Sequence, residues 1–432
     1  MDWLVVVGLI VFLFLSLLAG MRIAFSMAMV GILTLYLEGG VDAFGDLGFA
    51  CWNAFNSFLL VAVPLFVLMG NLLIHSGIAA SIYDDLTAWL YKVPGGLLVS
   101  NILSCSVFAA ICGSSMATAA TMGQVAIPVE KAKGYKPSAI YGSLAAGGGL
   151  GILIPPSIDM IIFGSITATS VVKLFMAGFV PGVVLSALYV LFIVVYSKVR
   201  VDVAPPMVES YSWHDRIRGF KTMIPVGALI AVVMGSIYTG VATPTEASAM
   251  GVCGALGITL IHKRLSLTVL KDSFMTTVET CTWVFYLILA ANILGYAFGR
   301  AGITQQIAYS VTGLGIGSTG ILIMIMVMYI GLGCLLDPIC MLLLTMPVIF
   351  PIIQIEGYNL VWFGIIYILL SETAFITPPI GLNLFVIQGV AKAPITEVVV
   401  GVIPYVFILF TMIGLVVVFP NIALWLPQAL GL

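Results

Sequence analysis

The chain has 432 residues, of which 62% are hydrophobic and only 8% charged. Soluble domains carry about 25% charged residues, so this composition excludes an ordinary soluble enzyme or binding module. The net charge is −2 and no basic tract occurs, which excludes a nucleic-acid surface. Apolar runs of bilayer length recur throughout, among them residues 3–19, 174–196 and 398–420. The expectation is an all-α polytopic membrane protein with about ten to twelve crossings and shorter re-entrant pieces.

In chain order, the first run, "MDWLVVVGLIVFLFLSLLAGMR", lacks a positive n-region and exceeds a signal-peptide core in length. It reads as an uncleaved first helix. Residues 98–128 hold a small, polar centre, Gly113-Ser114-Ser115, with apolar flanks on both sides. That pattern suits a helical hairpin entering and leaving the membrane on one side, although "GSSMATAAT" also suits a small-residue packing face. Residues 137–168 contain "GILIPPSIDM", where Pro155 and Pro156 break an otherwise apolar helix. Residues 198–221 form a connector whose "ESYSWHDRIRGFK" places Trp213, Ile217 and Phe220 on one face, with Ser212 and Asp215 spaced as a cap. This segment is expected to lie along the cytoplasmic membrane surface. In "ATPTEASAMG", Thr243 and Glu246 have capping-box spacing with Pro244 at the first helical position. Arg300 is isolated at the end of an apolar helix, either snorkelling or serving as a two-pronged donor to a carboxylate. Residues 317–351 mirror the first hairpin around Leu336-Asp337-Pro338, and residues 359–391 contain the second double proline, Pro378-Pro379.

Shifting the chain by 223 positions superposes this punctuation. Pro128 meets Pro351, Gly134-Tyr135 meets Gly357-Tyr358, Pro155-Pro156 meets Pro378-Pro379, Gly178 meets Gly401 and Pro181 meets Pro404. Running the first helix inward places 14 of the 16 Lys and Arg residues in the cytoplasm, with Lys173 and Arg300 outside. The acidic loop of Glu38, Asp42 and Asp46 and both termini then lie outside. The two repeats, 1–197 and 222–432, have opposite senses, an inverted-topology repeat of the kind secondary transporters use.

Pro155 and Pro156 free the carbonyls of Gly151 and Ile152, and Pro378 and Pro379 free those of Ala374 and Phe375. Such backbone survives at membrane depth where protein or a water-filled cavity satisfies it. With Ser157, Thr377 and Asn383 close by, it makes oxygen cradles suited to Na⁺; a structural kink is the plainer alternative. Of 18 acidic residues, Asp159, Glu246, Asp337 and Glu372 fall at membrane depth and the rest in loops or near interfaces. A carboxylate at that depth costs on the order of 3 kcal/mol and marks an ion or substrate path. Glu246 is better read as a cap. The seven cysteines form no C-x-x-C pair and read as small apolar residues. There is no H-E-x-x-H, no G-x-S-x-G and no Gly-Lys dipeptide, so neither hydrolytic chemistry nor a phosphate loop is indicated.

"GSSMATAATMG", "LGILIPPSIDMIIFGSIT", "KLFMAGFVPG", "ATPTEASAMGV" and "SETAFITPPIGLNLFV" together resemble the large membrane subunit of tripartite ATP-independent periplasmic (TRAP) transporters. The resemblance covers essentially the whole chain. It implies an elevator-type, Na⁺-driven importer of organic acids, such as a C4-dicarboxylate or a sialic acid, in a bacterial inner membrane with both termini periplasmic. It also implies a small four-helix membrane subunit and a soluble periplasmic binding protein as partners. Because the chain starts directly at its first large-subunit helix, that small subunit is expected to be separate. Two Na⁺ sites follow by resemblance. One uses Gly113, Ser114, Ser115 and the carbonyls around Pro155; the other uses Gly333, Asp337, Thr377 and the carbonyls around Pro378. Arg300 and Asp337 match positions that handle substrate, and Ser115, Ser157 and Asn383 stand as further substrate contacts. One departure is the run Gly147-Gly148-Gly149, where many relatives carry a threonine before "LGILIPPS". A stand-alone Na⁺/carboxylate symporter is the alternative of related architecture. Co-purification with a small subunit discriminates the two.

Overall fold

The computed structural model describes residues 2–45, 47–206, 211–378 and 381–431. Asp46, Glu209 and Pro379, and the side chain of Asp215, lie outside the described residues. The first part of the chain supplies α1 (Trp3–Leu18), α2 (Ile23–Gly39), α3 (Leu47–Phe55), α4 (Ala62–His75) and α5 (Ile78–Leu90). It continues with α6 (Gly96–Cys112), α7 (Ser115–Ala132), α8 (Pro137–Leu153), α9 (Ile158–Thr167) and α10 (Val171–Val199). The second part supplies α11 (Trp213–Tyr238), α12 (Pro244–Ile261), α13 (Leu267–Arg300), α14 (Ile303–Thr312) and α15 (Gly317–Gly333). It ends with α16 (Pro338–Ile355), α17 (Leu360–Ile376), α18 (Leu382–Ala391), α19 (Ile395–Val418) and α20 (Asn421–Ala429). The protein is all-helical among the described residues.

Nine segments there are long and apolar enough to cross a bilayer. That is fewer than the about ten to twelve expected from hydropathy. The difference lies in α1, α6, α15, α17 and α18, which are apolar but have at most 17 residues. A 17-residue helix spans about 25 Å, short of a hydrocarbon core of about 30 Å.

Helix starts follow local chemistry. Pro137 opens α8 and Pro338 opens α16, where a missing N–H costs nothing. Before α12, Thr243 Oγ1 accepts from Glu246 N at 3.3 Å and Glu246 Oε2 accepts from Thr243 N at 2.8 Å. Glu246 is exposed and belongs to this capping box, which removes it from the intramembrane acids. The expected surface helix needs correction. α11 runs unbroken from Trp213 to Tyr238, so the amphipathic segment is the first turns of a crossing helix. Gly219 and Pro225 both lie inside this helix without ending it, and Trp213 and Phe220 pack on Trp89 of α5.

Two groups of helices result, and neither coincides with one half of the sequence. α2 packs on α13, α4 packs on α12 and α13, and α5 packs on α11. α6, α7 and α8 pack together with α10, α17, α18 and α19, and the groups adjoin where α4 and α5 pack on α6 and α5 on α7. Over an 18-residue stretch of Pro137–Thr167, 89% of residues are buried, against 33% over such stretches of Gly219–Tyr238 in the first group and Ile395–Val418 in the second. Helices α8 and α9 are thus an interior axis, while α11 and α19 present apolar faces outward to lipid. α8 and α19 meet backbone to backbone. A Cβ on Gly142 would collide with the Gly401 carbonyl, and one on Gly401 with the Ser138 carbonyl.

Candidate functional site

α6 and α7 form a helix–turn–helix whose tip is Gly113-Ser114. Gly113 adopts φ +64°, and a Cβ there would sit 2.8 Å from the Pro156 carbonyl oxygen. Glycine is therefore required both for the left-handed turn and for the close approach. Gly151 is equally close on the other side, with an added Cβ 2.7 Å from Ser114 O. The tip thus rests directly on the interruption between α8 and α9. Ser115, 1% exposed, donates from Oγ to Gly149 O at 3.1 Å. Ser157 Oγ caps α9 by accepting from Met160 N at 3.4 Å.

The second pair repeats this arrangement. α15 and α16 turn at residues 334–337, and a Cβ on Gly333 would collide with Ala374 of α17. Cys334 Sγ donates to Pro378 O at 3.8 Å, so this tip rests on the interruption between α17 and α18. Thr377 Oγ1 donates to Thr373 O at 2.6 Å, which leaves its lone pairs free to face a cation. Asp337 is half-buried, and its Oδ1 accepts from Cys340 N at 3.1 Å, capping α16.

The two pairs meet. Asp159, 4% exposed in the first turn of α9, interacts electrostatically with Asp337. The Tyr367 phenol of α17 feels both carboxyls and donates to Pro338 O. Asn383 crosses between the halves, donating from Nδ2 to Ala145 O at 3.2 Å. Helices α7, α9, α16 and α18 begin at these tips and interruptions, and α6, α8, α15 and α17 end there. Helix N-termini favour anions, whereas C-terminal carbonyls freed by proline favour hard cations. The two tips and two interruptions thus bring helix N-termini and proline-freed carbonyls close together.

Arg300 is placed by other neighbours. Its Nε pairs with Glu38 Oε2 at 2.8 Å, and its Nη1 donates to the Tyr296 hydroxyl at 3.4 Å. Tyr296 and Gly299 line a cleft of about 500 Å³ between α13 and α14 on one side and α9 and α16 on the other. Its polar lining comprises Asn53, Ser57, Ser165, Asn292, Tyr296 and Thr304. Ser157 and Asn383, both fully buried, do not line it.

The family model described as "Tripartite ATP-independent periplasmic transporter, DctM component" matches residues 10–422. The chain belongs to this family. It is 30% identical over 447 residues, covering all of both chains, to the C4-dicarboxylate TRAP transporter large permease protein DctM of Rhodobacter capsulatus. It is 32% identical to the ectoine/5-hydroxyectoine TRAP transporter large permease protein UehC of Ruegeria pomeroyi, over 85% of each chain. In fold it is similar to the Alcanivorax borkumensis YdaH transporter, with TM-score 0.64, 12% identity and 98% of both chains covered. The DctM-family relatives are multi-pass transporter permeases and not enzymes.

One buried acid in this DctM-family permease escaped sequence reasoning. Glu130 lies inside the run "QVAIPVEKAK" and reads as a loop acid, yet it is 0% exposed. Tyr83 of α5 donates its hydroxyl to Glu130 Oε1 at 2.9 Å. The only local signal is the apolar "AIPV" before it; the charges that follow mask the burial.

Proposed function

We propose that this large permease is the transport subunit of a tripartite importer in a bacterial inner membrane. It moves a small organic acid, delivered by a periplasmic binding protein, inward together with Na⁺. The observation that carries this reading is the seating of each hairpin tip on a broken helix, with the Asp159 and Asp337 carboxyls near enough to interact electrostatically. Na⁺ is held at two places: by Gly113, Ser114, Ser115 and the carbonyls around Pro155, and by Gly333, Asp337, Thr377 and the carbonyls around Pro378. Ser115 Oγ and Thr377 Oγ1 each donate to a backbone carbonyl, so each can still accept an ion's contact.

The organic acid enters by the neutral polar cleft, and its carboxylate is drawn to Arg300 by exchange with Glu38. The interior group containing α8 and α17 moves as a body past the α2, α4, α12 and α13 frame, an elevator motion about a fixed scaffold. The inverted repeat supports this reading because it gives the interior group two related, oppositely facing ends. Relatives named for C4-dicarboxylate, ectoine and isethionate support a small polar organic cargo without choosing among them.

The test is reconstitution. Vesicles with this subunit alone should not accumulate cargo, while addition of the small membrane subunit and the loaded binding protein should restore uptake. Robust uptake by this chain alone would move the assignment to a stand-alone symporter.

A further inference from the structure

Arg216 and Lys92 are two cations to which the transport reading gives no task. Arg216 lies in the first turn of α11, just before the stretch Gly219–Tyr238 that is long and apolar enough to cross a bilayer. That places it at the depth of the lipid headgroups. Its guanidinium stands over three rings, 5.1 Å from the Trp213 centroid, 5.2 Å from Tyr91 and 5.8 Å from Trp89. Its one hydrogen bond among the described residues runs from Nη2 to the Tyr91 hydroxyl at 3.1 Å. Nε is buried without a partner. Lys92 Nζ stands over the same Tyr91 ring, 5.8 Å from its centroid.

Two cations are thus gathered about one ring where the end of α5 meets the start of α11. Like charges held this close repel, and each ring offsets that by only about 0.5–1 kcal/mol at an exposed place. Among the described residues no carboxylate forms an ion pair with either cation. Asp84 and Asp85 stand a turn or more back on α5, where Asp85 faces Gly219 and Thr222 instead. The pair therefore calls for an anion from outside the chain.

The neighbouring side chains decide which anion fits. Trp89, Trp213, Ile217 and Phe220 are exposed apolar groups beside the two cations. At headgroup depth such groups rest against the glycerol and upper acyl region of a lipid, while a guanidinium meets its phosphate. Tyr91 occupies Nη2 alone, so Nη1 still has its N–H groups to donate. A choline or ethanolamine headgroup brings its own cation, which Arg216 and Lys92 repel. The fitting lipid therefore carries net negative charge, as phosphatidylglycerol does.

We propose that Arg216 and Lys92 form a binding site for the phosphate of an anionic phospholipid, whose acyl chains lie along Ile217 and Phe220. The bound headgroup neutralises both cations and ties the end of α5 to the start of α11. Because α5 also packs on α6 and α7, this tie bears on the place where the two helix groups adjoin. The site is separate from the cargo cleft and from both Na⁺ places.

Native mass spectrometry of the purified complex of both membrane subunits, freed of lipid in a neutral detergent, tests this without any cargo. Wild type should bind dioleoyl phosphatidylglycerol at least about fivefold more tightly than dioleoyl phosphatidylcholine, and Arg216→Gln should erase the difference. Lys92 is exposed, so Lys92→Gln keeps the fold and should weaken phosphatidylglycerol binding by about fivefold. Lys271→Gln, at an exposed lysine of α13, is the control and should bind as wild type does. Inorganic phosphate should not displace the lipid; displacement would make this a site for a soluble anion and overturn the proposal. Equal binding of the two lipids by wild type, or equal weakening by Lys271→Gln, overturns it as well. Should Arg216→Gln not assemble, unchanged binding in Lys92→Gln overturns it alone. Absence of any bound lipid would mean that the small subunit covers this face, and also overturns it.

Discussion

Asp337→Asn and Asp337→Ala separate two tasks that one carboxyl performs. Asp337 Oδ1 caps α16 through Cys340 N at 3.1 Å, and Pro338 follows at the first helical position. Asparagine caps as well as aspartate, whereas alanine forfeits about 1 kcal/mol. The charge itself adds about 0.3–1 kcal/mol through the helix dipole, a minor loss for a chain of this size. A carboxylate that closes an ion site is a different matter, because its removal deprives the cation of a full negative charge. Both variants should then lose at least about tenfold in Na⁺-dependent uptake, equivalent to ~1.4 kcal/mol, although only alanine weakens the helix. The assay is uptake against Na⁺ concentration in vesicles holding the assembled complex, with subunit stoichiometry checked on the same preparation. Full-rate transport by Asp337→Asn with unchanged Na⁺ dependence would show that the carboxyl is a helix cap and nothing more.

Gly142→Ala should push α8 from α19, since its Cβ meets the Gly401 carbonyl, and should cost about 1–3 kcal/mol, read as a lowered melting temperature. Gly8→Ala on α1, with open space around it, is the control, and equal melting of the two variants would contradict the close approach. On α5, burial and then the neighbouring Asp84 push the Asp85 carboxyl from 3.8 up to about 6, against a hydrogen bond from Thr222. A raised acid favours folding below its unfolded value and loses that contribution as pH rises through about 6. Asp85→Asn should therefore melt like wild type relative to its own low-pH value below pH 4, but hold that stability above pH 6, while changing uptake little; parallel pH–melting curves would refute this. In a background lacking the exposed Cys253, a cysteine replacing Asp42 should react with an impermeant thiol reagent from outside, and one replacing Glu209 only from the cytoplasm. The reverse pattern would overturn the orientation.

What was legible in the sequence is what a few adjacent residues decide. Pro155-Pro156 ends α8 at Leu153 because the missing N–H groups act within one turn. The Thr243–Glu246 cap and the Asp337-Pro338 start are likewise local patterns, and the structure contains both. Glu372 was recognisable as an intramembrane acid because its flanks are uniformly apolar. Its lack of a hydrogen-bond partner was not, since that depends on α8 and α10 arriving from over a hundred residues away. Glu130 shows the same limit more severely. Its burial depends on Tyr83, 47 positions earlier, and nothing in "VEKAK" announces that α5 covers it. The pairing of Arg300 with Glu38 joins α13 to α2, and isolation in the sequence gave no hint of it. The continuity of α11 was missed for a different reason. An amphipathic turn and an apolar span look like two elements in composition, and Gly219 and Pro225 between them read as breakers, yet the helix runs through both.

The most direct test of coupled import inverts the Na⁺ gradient alone. Vesicles should contain the large and small membrane subunits, the outer solution the binding protein, and the cargo should be the ligand identified by mass spectrometry on the purified binding protein. With choline balancing osmolarity and pH equal on both sides, an inward Na⁺ gradient should drive accumulation above equilibrium, and an outward gradient should abolish it. Equal accumulation under both gradients, or in the complete absence of Na⁺, would contradict the account.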